Sequence, residues 1–260
     1  MLLVCWNLAG RMRLVGEQAE RVLGERPDLV CLQEVTPATA HPWLDLLDAA
    51  GYRCALAPLP RAREGSRPLA VLTAAAGVDD LEPMPVAGVP WEERVLSVRV
   101  RGDLEVVNVH SPVSPKPNLA KVRTHEAVFR HMATGSGPRL VCGDLNTPRR
   151  EHPDGSVWTF ARHRNGRLRP DRGERWDAAE TALIRGLAPR GFRDAFRELN
   201  GFGSKEPTWE WPRSGGGYRL DHLIVSPEIE VTACRYQHGW RRDDRLSDHS
   251  ALVAEVAVRD

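Results

Sequence analysis

The stretch LVCGDLNTPRR, Leu140 to Arg150, runs apolar, stops at a glycine and releases Asp144 and Asn146 ahead of a proline. A short apolar run bounded by turn-forming residues reads as a buried strand, which places Asp144 and Asn146 at a strand end. A carboxylate and a carboxamide at the mouth of a sheet are candidate groups for phosphate chemistry. Taken alone, the same residues also read as a turn in which Asp and Asn satisfy backbone donors. The other strand ends decide between these readings.

Working outward, Leu2 to Trp6 is apolar and ends at Asn7, with Gly10 beyond. In PDLVCLQEV, Leu29 to Leu32 run into Gln33 and Glu34, and a glutamate is seldom what a core selects. Leu104 to Val109 alternates into Asn108 and His110, so a histidine caps another strand. In YRLDHLIVS, Tyr218 to Ser226, Asp221 lies inside an apolar strand, where an unpaired carboxylate is costly. Its expected partner is in RLSDHSALVAEVAV, where Asp248 and His249 open a last strand.

Between these points the periodicity predicts helices over Leu14–Glu25, Pro37–Ala50, Leu119–Met132, Arg175–Leu187 and Phe192–Leu199. Further strands are expected over Arg53–Ala57, Leu69–Ala74, Val78–Val86, Val95–Val100, Thr208–Trp211 and Glu230–Tyr236. Trp209 and Trp211 alternate, so one is expected to face the core and the other the surface. Strands alternating with helices, followed by more strands, suggest an α/β sandwich: two packed sheets with helices outside, built as a single domain over residues 1–260. The loops of such a sandwich collect at one edge, where residues distant in sequence converge.

With 260 residues, 42% of them hydrophobic, and no Pro/Gly/Ser-rich linker, the chain can bury a sizeable core. A formal charge of +1 neither requires nor excludes a polyanionic substrate, because local clustering matters more. Cys5, Cys31, Cys54, Cys142 and Cys234 contain no CxxC pair, which argues against a zinc knuckle or disulfide framework and fits a reducing compartment. The start MLLVCWNLAG lacks the pattern of a signal peptide, and no segment reaches transmembrane length. A soluble, cytoplasmic monomer with no membrane contact and no obligate protein partner is the expectation. Local charge is high only after Pro148, where Arg149, Arg150, Arg162, Arg164, Arg167, Arg169, Arg172 and Arg175 are mixed with Trp158, Phe160 and His163. Glu151, Asp154, Asp171 and Glu174 offset part of it, so the segment is either a solvated loop or a phosphate-contacting surface beside Asp144.

WNLAG, LVCLQEV, NVHSP, VCGDLNTP, YRLDHLIVS and SDHSA, in that order from residue 4 to residue 253, resemble the successive signatures of the endonuclease/exonuclease/phosphatase superfamily. DAFREL, PTWEW and GYRLDHLIVS look most like the exonuclease III and abasic-site endonuclease branch. The resemblance implies a four-layer deoxyribonuclease I-like fold and a Mg²⁺-dependent phosphoesterase, with Mn²⁺ as a plausible substitute and DNA as the substrate. It implies that Glu34 is the principal metal ligand with Asn7 and Asp248 nearby, and that Asp221 orients His249. Asp144 and Asn146 would hold or activate the attacking water; either Asp144 or the His249–Asp221 pair is the base. His110 departs from that branch, which commonly has a tyrosine there. HSPVSP is closer to deoxyribonuclease I and the phosphatases, in which the histidine contacts phosphate or serves as an acid. Abasic-site specificity is therefore open. A phosphatase or phosphodiesterase acting on a small molecule or lipid headgroup is the alternative, and a binding protein with a degenerate site is disfavoured because every expected side chain is present.

Overall fold

Alternation along the strands sets the layers. In β1 (Leu2–Asn7) and β2 (Leu29–Val35), Leu3, Cys5, Leu29 and Cys31 face one way, and Val4, Trp6, Val30 and Leu32 the other. The first set joins Val98, Val106, Leu140, Leu223 and Leu252 in a core closed between two sheets. The second set packs under α1 (Val15–Gly24) and α2 (Pro37–Ala49) through Val22, Trp43 and Leu47. On the opposite outer face Val107, Val109 and Val141 pack against Val128 and Met132 of α3 (Ala120–Thr134). The order is therefore helix, sheet, sheet, helix, the four-layer sandwich expected. The computed structural model describes residues 1–59, 67–113, 119–211 and 216–259.

One six-stranded sheet runs β15 (Ile229–Gln237), β16 (Ala251–Val258), β1, β2, β4 (Ala70–Ala76), β3 (Tyr52–Leu56). The other runs β11 (Arg193–Asp194), β14 (Asp221–Val225), β8 (Arg139–Asp144), β7 (Leu104–His110), β6 (Val95–Val100), β5 (Glu82–Met84). Two short ladders lie outside them: β9 (Arg150–Glu151) with β10 (Val157–Trp158), and β12 (Trp209–Glu210) with β13 (Gly217–Tyr218). The parallel pairs β1/β2 and β7/β8 are each joined through a helix, α1 and α3, so all four strands present their carboxyl ends to loops that meet one another.

Several expected elements are shorter or divided. The Val78–Val86 strand shrinks to β5, because Asp80 turns the chain onto the Leu81 N–H at 2.8 Å and Pro83 and Pro85 remove ladder donors. Tyr218–Ser226 is two strands, since Leu220 and Asp221 donate to Thr208 Oγ1 rather than to a neighbouring strand. The Phe192–Leu199 helix begins later, as α5 (Ala195–Asn200), because Asp194 caps it by accepting from the Arg197 N–H at 3.0 Å. The Arg175–Leu187 helix appears as α4 (Gly173–Thr181), which runs into a π turn over Ala182–Gly186. A short α6 (His238–Arg242) precedes β16. Neither Trp209 nor Trp211 enters the core. Both are half-buried, with Trp209 stacked on Tyr218 at 6.2 Å and Trp211 edge-on to Tyr218 at 4.7 Å, so the ladder they share is an aromatic patch. All five cysteines are free thiols. Among the described residues no helix is long and apolar enough to cross a membrane.

Candidate active site

Register brings the acids together. Asp144, the last residue of β8, is paired with His110 on parallel β7 and with Asp221 on antiparallel β14, so three neighbouring strands place their polar ends at one level. The glycine before Asp144 permits this. Gly143 has φ +130°, and a Cβ there would lie 1.9 Å from the Val109 carbonyl oxygen, so only glycine lets β8 approach β7 this closely. Past Asp144 the chain turns. Asp144 Oδ1 accepts from the Asn146 N–H at 2.9 Å while Asn146 adopts φ +51°, and the Asn146 carboxamide donates to the Ser111 carbonyl at 2.8 Å. The turn reading and the site reading of these residues are thus both realised.

Asp144 is buried, and Asn7 Nδ2 donates to its Oδ2 at 2.9 Å. Burial, reinforced by the Asp221 and Glu34 charges, lifts its carboxyl to about 7, against the lowering pull of His249. His249 precedes β16, which runs antiparallel to β1, and its Nδ1 lies 2.9 Å from Asp221 Oδ2. Burial disfavours the imidazolium, but the Asp221 and Asp144 charges override it and raise His249 to about 10. An imidazolium therefore stands with Nε2 3.8 Å from Asp144 Oδ2. His110 takes the opposite state. Burial and the Arg94 charge hold it well below the ordinary histidine value. Arg94 Nη1 is 2.6 Å from its Nδ1, which assigns the remaining proton to Nε2, 3.7 Å from both Glu34 Oε1 and Asp144 Oδ2. The site thus holds one charged and one neutral imidazole.

Glu34 enters through a bulge. Leu32 pairs with Leu72 but Val35 pairs with Ala70, so three steps on β2 match two on β4, and Glu34 adopts φ +58°. Its carboxylate accepts from Arg67 Nη2 at 2.6 Å and from Asn7 Nδ2 at 3.4 Å. Asp248 stands apart, exposed, and accepts from Trp209 Nε1 at 3.3 Å. The ligand atoms of Asp144, Asp221 and His249 lie within 4.8 Å of one another, and Asp221 Oδ1 is buried with no hydrogen-bond partner. As an imidazolium, His249 offers a metal no lone pair and itself supplies the positive charge between Asp144 and Asp221, so the oxygen donors left for a hard divalent cation centre on Glu34, whose carboxylate lies 3.4 Å from Asn7 Nδ2 at the edge of this cluster.

The supporting residues were not singled out by the sequence. Lys121, 1% exposed, reaches the Asn146 carbonyl and Glu180 Oε1, each at 2.6 Å, and Glu180 in turn accepts from Thr147 Oγ1 at 2.7 Å. Gln33 Nε2 donates across the sandwich to Asn108 Oδ1 at 2.8 Å, stitching the sheets together beneath the site. Polar residues one position from Glu34 and two from His110 were the available signal. Lys121 had none, because a lysine near a helix start ordinarily reads as solvent-facing.

The arginine-rich segment is held by ion pairs and packing rather than merely solvated. Arg162 pairs with Asp177 at 2.5 Å, Arg175 with Glu126 at 2.8 Å, and Arg172 packs over Trp176 at 4.9 Å. It borders a groove of about 1070 Å³ that starts at Pro148 and includes Arg149, Arg150, Trp158, Lys205, Trp211 and Tyr218 in its lining. The Ser114–Pro115 end of HSPVSP lies outside the described residues.

The arrangement is similar to several solved structures. An AP endonuclease from Archaeoglobus fulgidus superposes with TM-score 0.70 at 18% identity, covering 99% of this chain and 100% of that one. The 3'-5' exonuclease NExo from Neisseria meningitidis gives TM-score 0.70 at 21% identity over 98% and 99%. The human Nocturnin catalytic domain gives 0.62 at 14% identity over 99% and 93%. At these identities the likeness establishes the fold. Among curated protein sequences none matches this chain. The sequence profile described as the Endonuclease/Exonuclease/phosphatase family matches residues 4–249, which takes in every strand end described above, and the chain belongs to that family.

Proposed function

We propose that this protein is a metal-dependent phosphodiester hydrolase acting on DNA, a nuclease of exonuclease III-like type. The observation that carries the reading is the groove that begins at Pro148, where the GDLNTP turn ends: its lining combines arginines and a lysine with Trp158, Trp211 and Tyr218, the pairing that follows a phosphate backbone and stacks bases. Names of similar structures, an AP endonuclease and a 3'-5' exonuclease, agree with a nucleic-acid substrate.

In this reading Asp144, raised to about 7, accepts a proton from the attacking water at neutral pH, and the Asn146 carboxamide orients that water. His249, held charged by Asp221, donates to a non-bridging phosphate oxygen as negative charge builds there. His110 offers a neutral N–H to the same phosphate. Mg²⁺, or Mn²⁺ in its place, is assigned to Glu34, Asn7 and Asp248, and when bound it supplies charge neutralisation at the phosphate and the leaving alkoxide. The test is a panel of duplex, single-stranded and abasic-site DNA with small phosphoesters, each with Mg²⁺ and with excess chelator. Chelator-sensitive DNA cleavage is expected; hydrolysis of small phosphoesters with no DNA cleavage would replace the nuclease by a phosphatase.

A further inference from the structure

Residues 162–168 form a small β-hairpin that projects beside the groove. Arg162 and Leu168 pair in an antiparallel bridge, the His163 N–H donates to the Arg167 carbonyl at 2.8 Å, and the Gly166 N–H donates back to the His163 carbonyl at 3.0 Å. The hairpin is held from several sides. Arg162 binds Asp177 and also donates to the Gly166 carbonyl at 2.9 Å, while Asn165 Oδ1 accepts from the Arg167 N–H at 3.1 Å. Gly166, at φ +82°, rests on Trp158 so closely that a Cβ would fall 2.8 Å from the indole. Trp158 itself carries Arg150 over its ring at 5.4 Å. This is a preformed finger, so a ligand meeting it does not have to order a loop first.

The charges that stabilise the finger differ from those it displays. Arg162 is neutralised by Asp177, and Arg169 by Asp171 at 2.8 Å. Arg164 and Arg167 are exposed and meet no carboxylate among the described residues. With Arg149, His163, Asn165 and Arg169 they line a second, more open cavity of about 610 Å³ that contains none of the reacting groups; Arg149 and Arg164 line the groove as well, so the cavity adjoins it, and Arg167 belongs to the cavity alone. Its lining is four arginines, an asparagine and one imidazole, with none of the Trp and Tyr rings that line the groove, so it suits phosphate oxygens more than bases. Guanidinium forks match those oxygens in geometry as well as charge.

We infer that the 162–168 finger extends the groove into a second phosphate-binding site, taking a backbone phosphate of the DNA strand away from the scissile bond. The inference rests on the nuclease reading above and names how that enzyme prefers a chain over an isolated phosphoester. The test compares wild type with R167Q, the exposed finger arginine that lies outside the groove, on a short oligodeoxynucleotide and on bis(4-nitrophenyl) phosphate, which carries one phosphate and cannot fill both sites. The variant is expected to raise KM for the oligonucleotide about tenfold at low salt and to flatten the salt dependence of log KM by about 0.7 to 0.9 for each phosphate no longer neutralised. Its kcat and its hydrolysis of the single phosphate are expected to match wild type. Oligonucleotide KM and salt slope equal to wild type would overturn the finger site and leave the nuclease reading standing. Wild-type hydrolysis of the single phosphate with no cleavage of any DNA strand would overturn both.

Discussion

Asp144 and Asp221 sit directly opposite each other on the antiparallel strands β8 and β14, and the His249 imidazole spans them, 2.9 Å from Asp221 and 3.8 Å from Asp144. Two carboxylates this close in a buried site oppose each other's ionisation; a cation between them relieves the conflict. The division of labour follows from geometry. Asp221 lies within hydrogen-bond distance and fixes the ring, which leaves Asp144 as the carboxylate able to exchange a proton near neutrality.

Replacing Asp221 by Asn removes that anchor without changing side-chain volume. Turnover of a phosphodiester substrate with Mg²⁺ is expected to fall by about two to four orders of magnitude, the scale of a lost acid–base group, with the far-ultraviolet circular dichroism unchanged. A rate within a few-fold of wild type would show that His249 needs no anchor.

The same pair makes the metal-free protein lose stability at alkaline pH. His249 is raised from 6.5 to about 10 in the fold, so its contribution is complete below 6.5 and disappears as pH climbs through about 10. Asp144, raised from 3.8 to about 7, acts in the same direction over a lower window, because the folded state retains a proton that the unfolded chain releases. In excess chelator, Tm is therefore expected to decline steadily from about pH 6 to about pH 10, and His249→Gln should flatten the upper part of that decline. A wild-type Tm indifferent to pH across that range would contradict both assignments.

Gly143→Ala tests the register itself. The new Cβ would meet the Val109 carbonyl at 1.9 Å in a backbone conformation that L-residues rarely adopt, and the clash is with main chain that cannot turn aside. A loss of more than about 4 kcal/mol is expected, enough to prevent folding of many domains. Soluble protein with a near wild-type urea midpoint would mean that β7 and β8 are paired differently.

Lys121→Met leaves Glu180 as a buried carboxylate without its cation. Removing one partner of a buried pair typically costs about 3–5 kcal/mol, measurable by urea denaturation. The Asn146 carbonyl loses its donor in the same step, so activity is expected to fall by more than Lys121→Arg produces.

The strand ends that carry Asn7, Glu34, His110 and Asp144 were legible in the residues, because an apolar run that stops at a polar group is a local pattern needing only the period of the strand, and His249 was legible as the opening of a last strand; Asp221, read inside a strand, instead opens β14. The two packed sheets with helices outside followed from the order of strands and helices, and the four layers from the family resemblance; which face of β1 meets which layer, Leu3 and Cys5 one way and Val4 and Trp6 the other, became clear only in the fold. Local patterns failed where a tertiary partner overrode them: at Asp194, which became a helix cap, and at Leu220 and Asp221, whose backbone was claimed by Thr208.

By itself, then, the sequence determined which residue types stand at strand ends, because periodicity and turn chemistry act over a few residues, and the order of those motifs carried the family resemblance that implies phosphoester chemistry. Only the tertiary structure decided the protonation states, one imidazole charged between Asp221 and Asp144 and the other neutral against Arg94, because these depend on burial and on charges brought from β8, β14 and the turn that leads into β6. It also decided that the arginines after GDLN divide into those that build a hairpin and those it displays, because the acids that neutralise Arg162 and Arg169 are recognised only once the chain has folded.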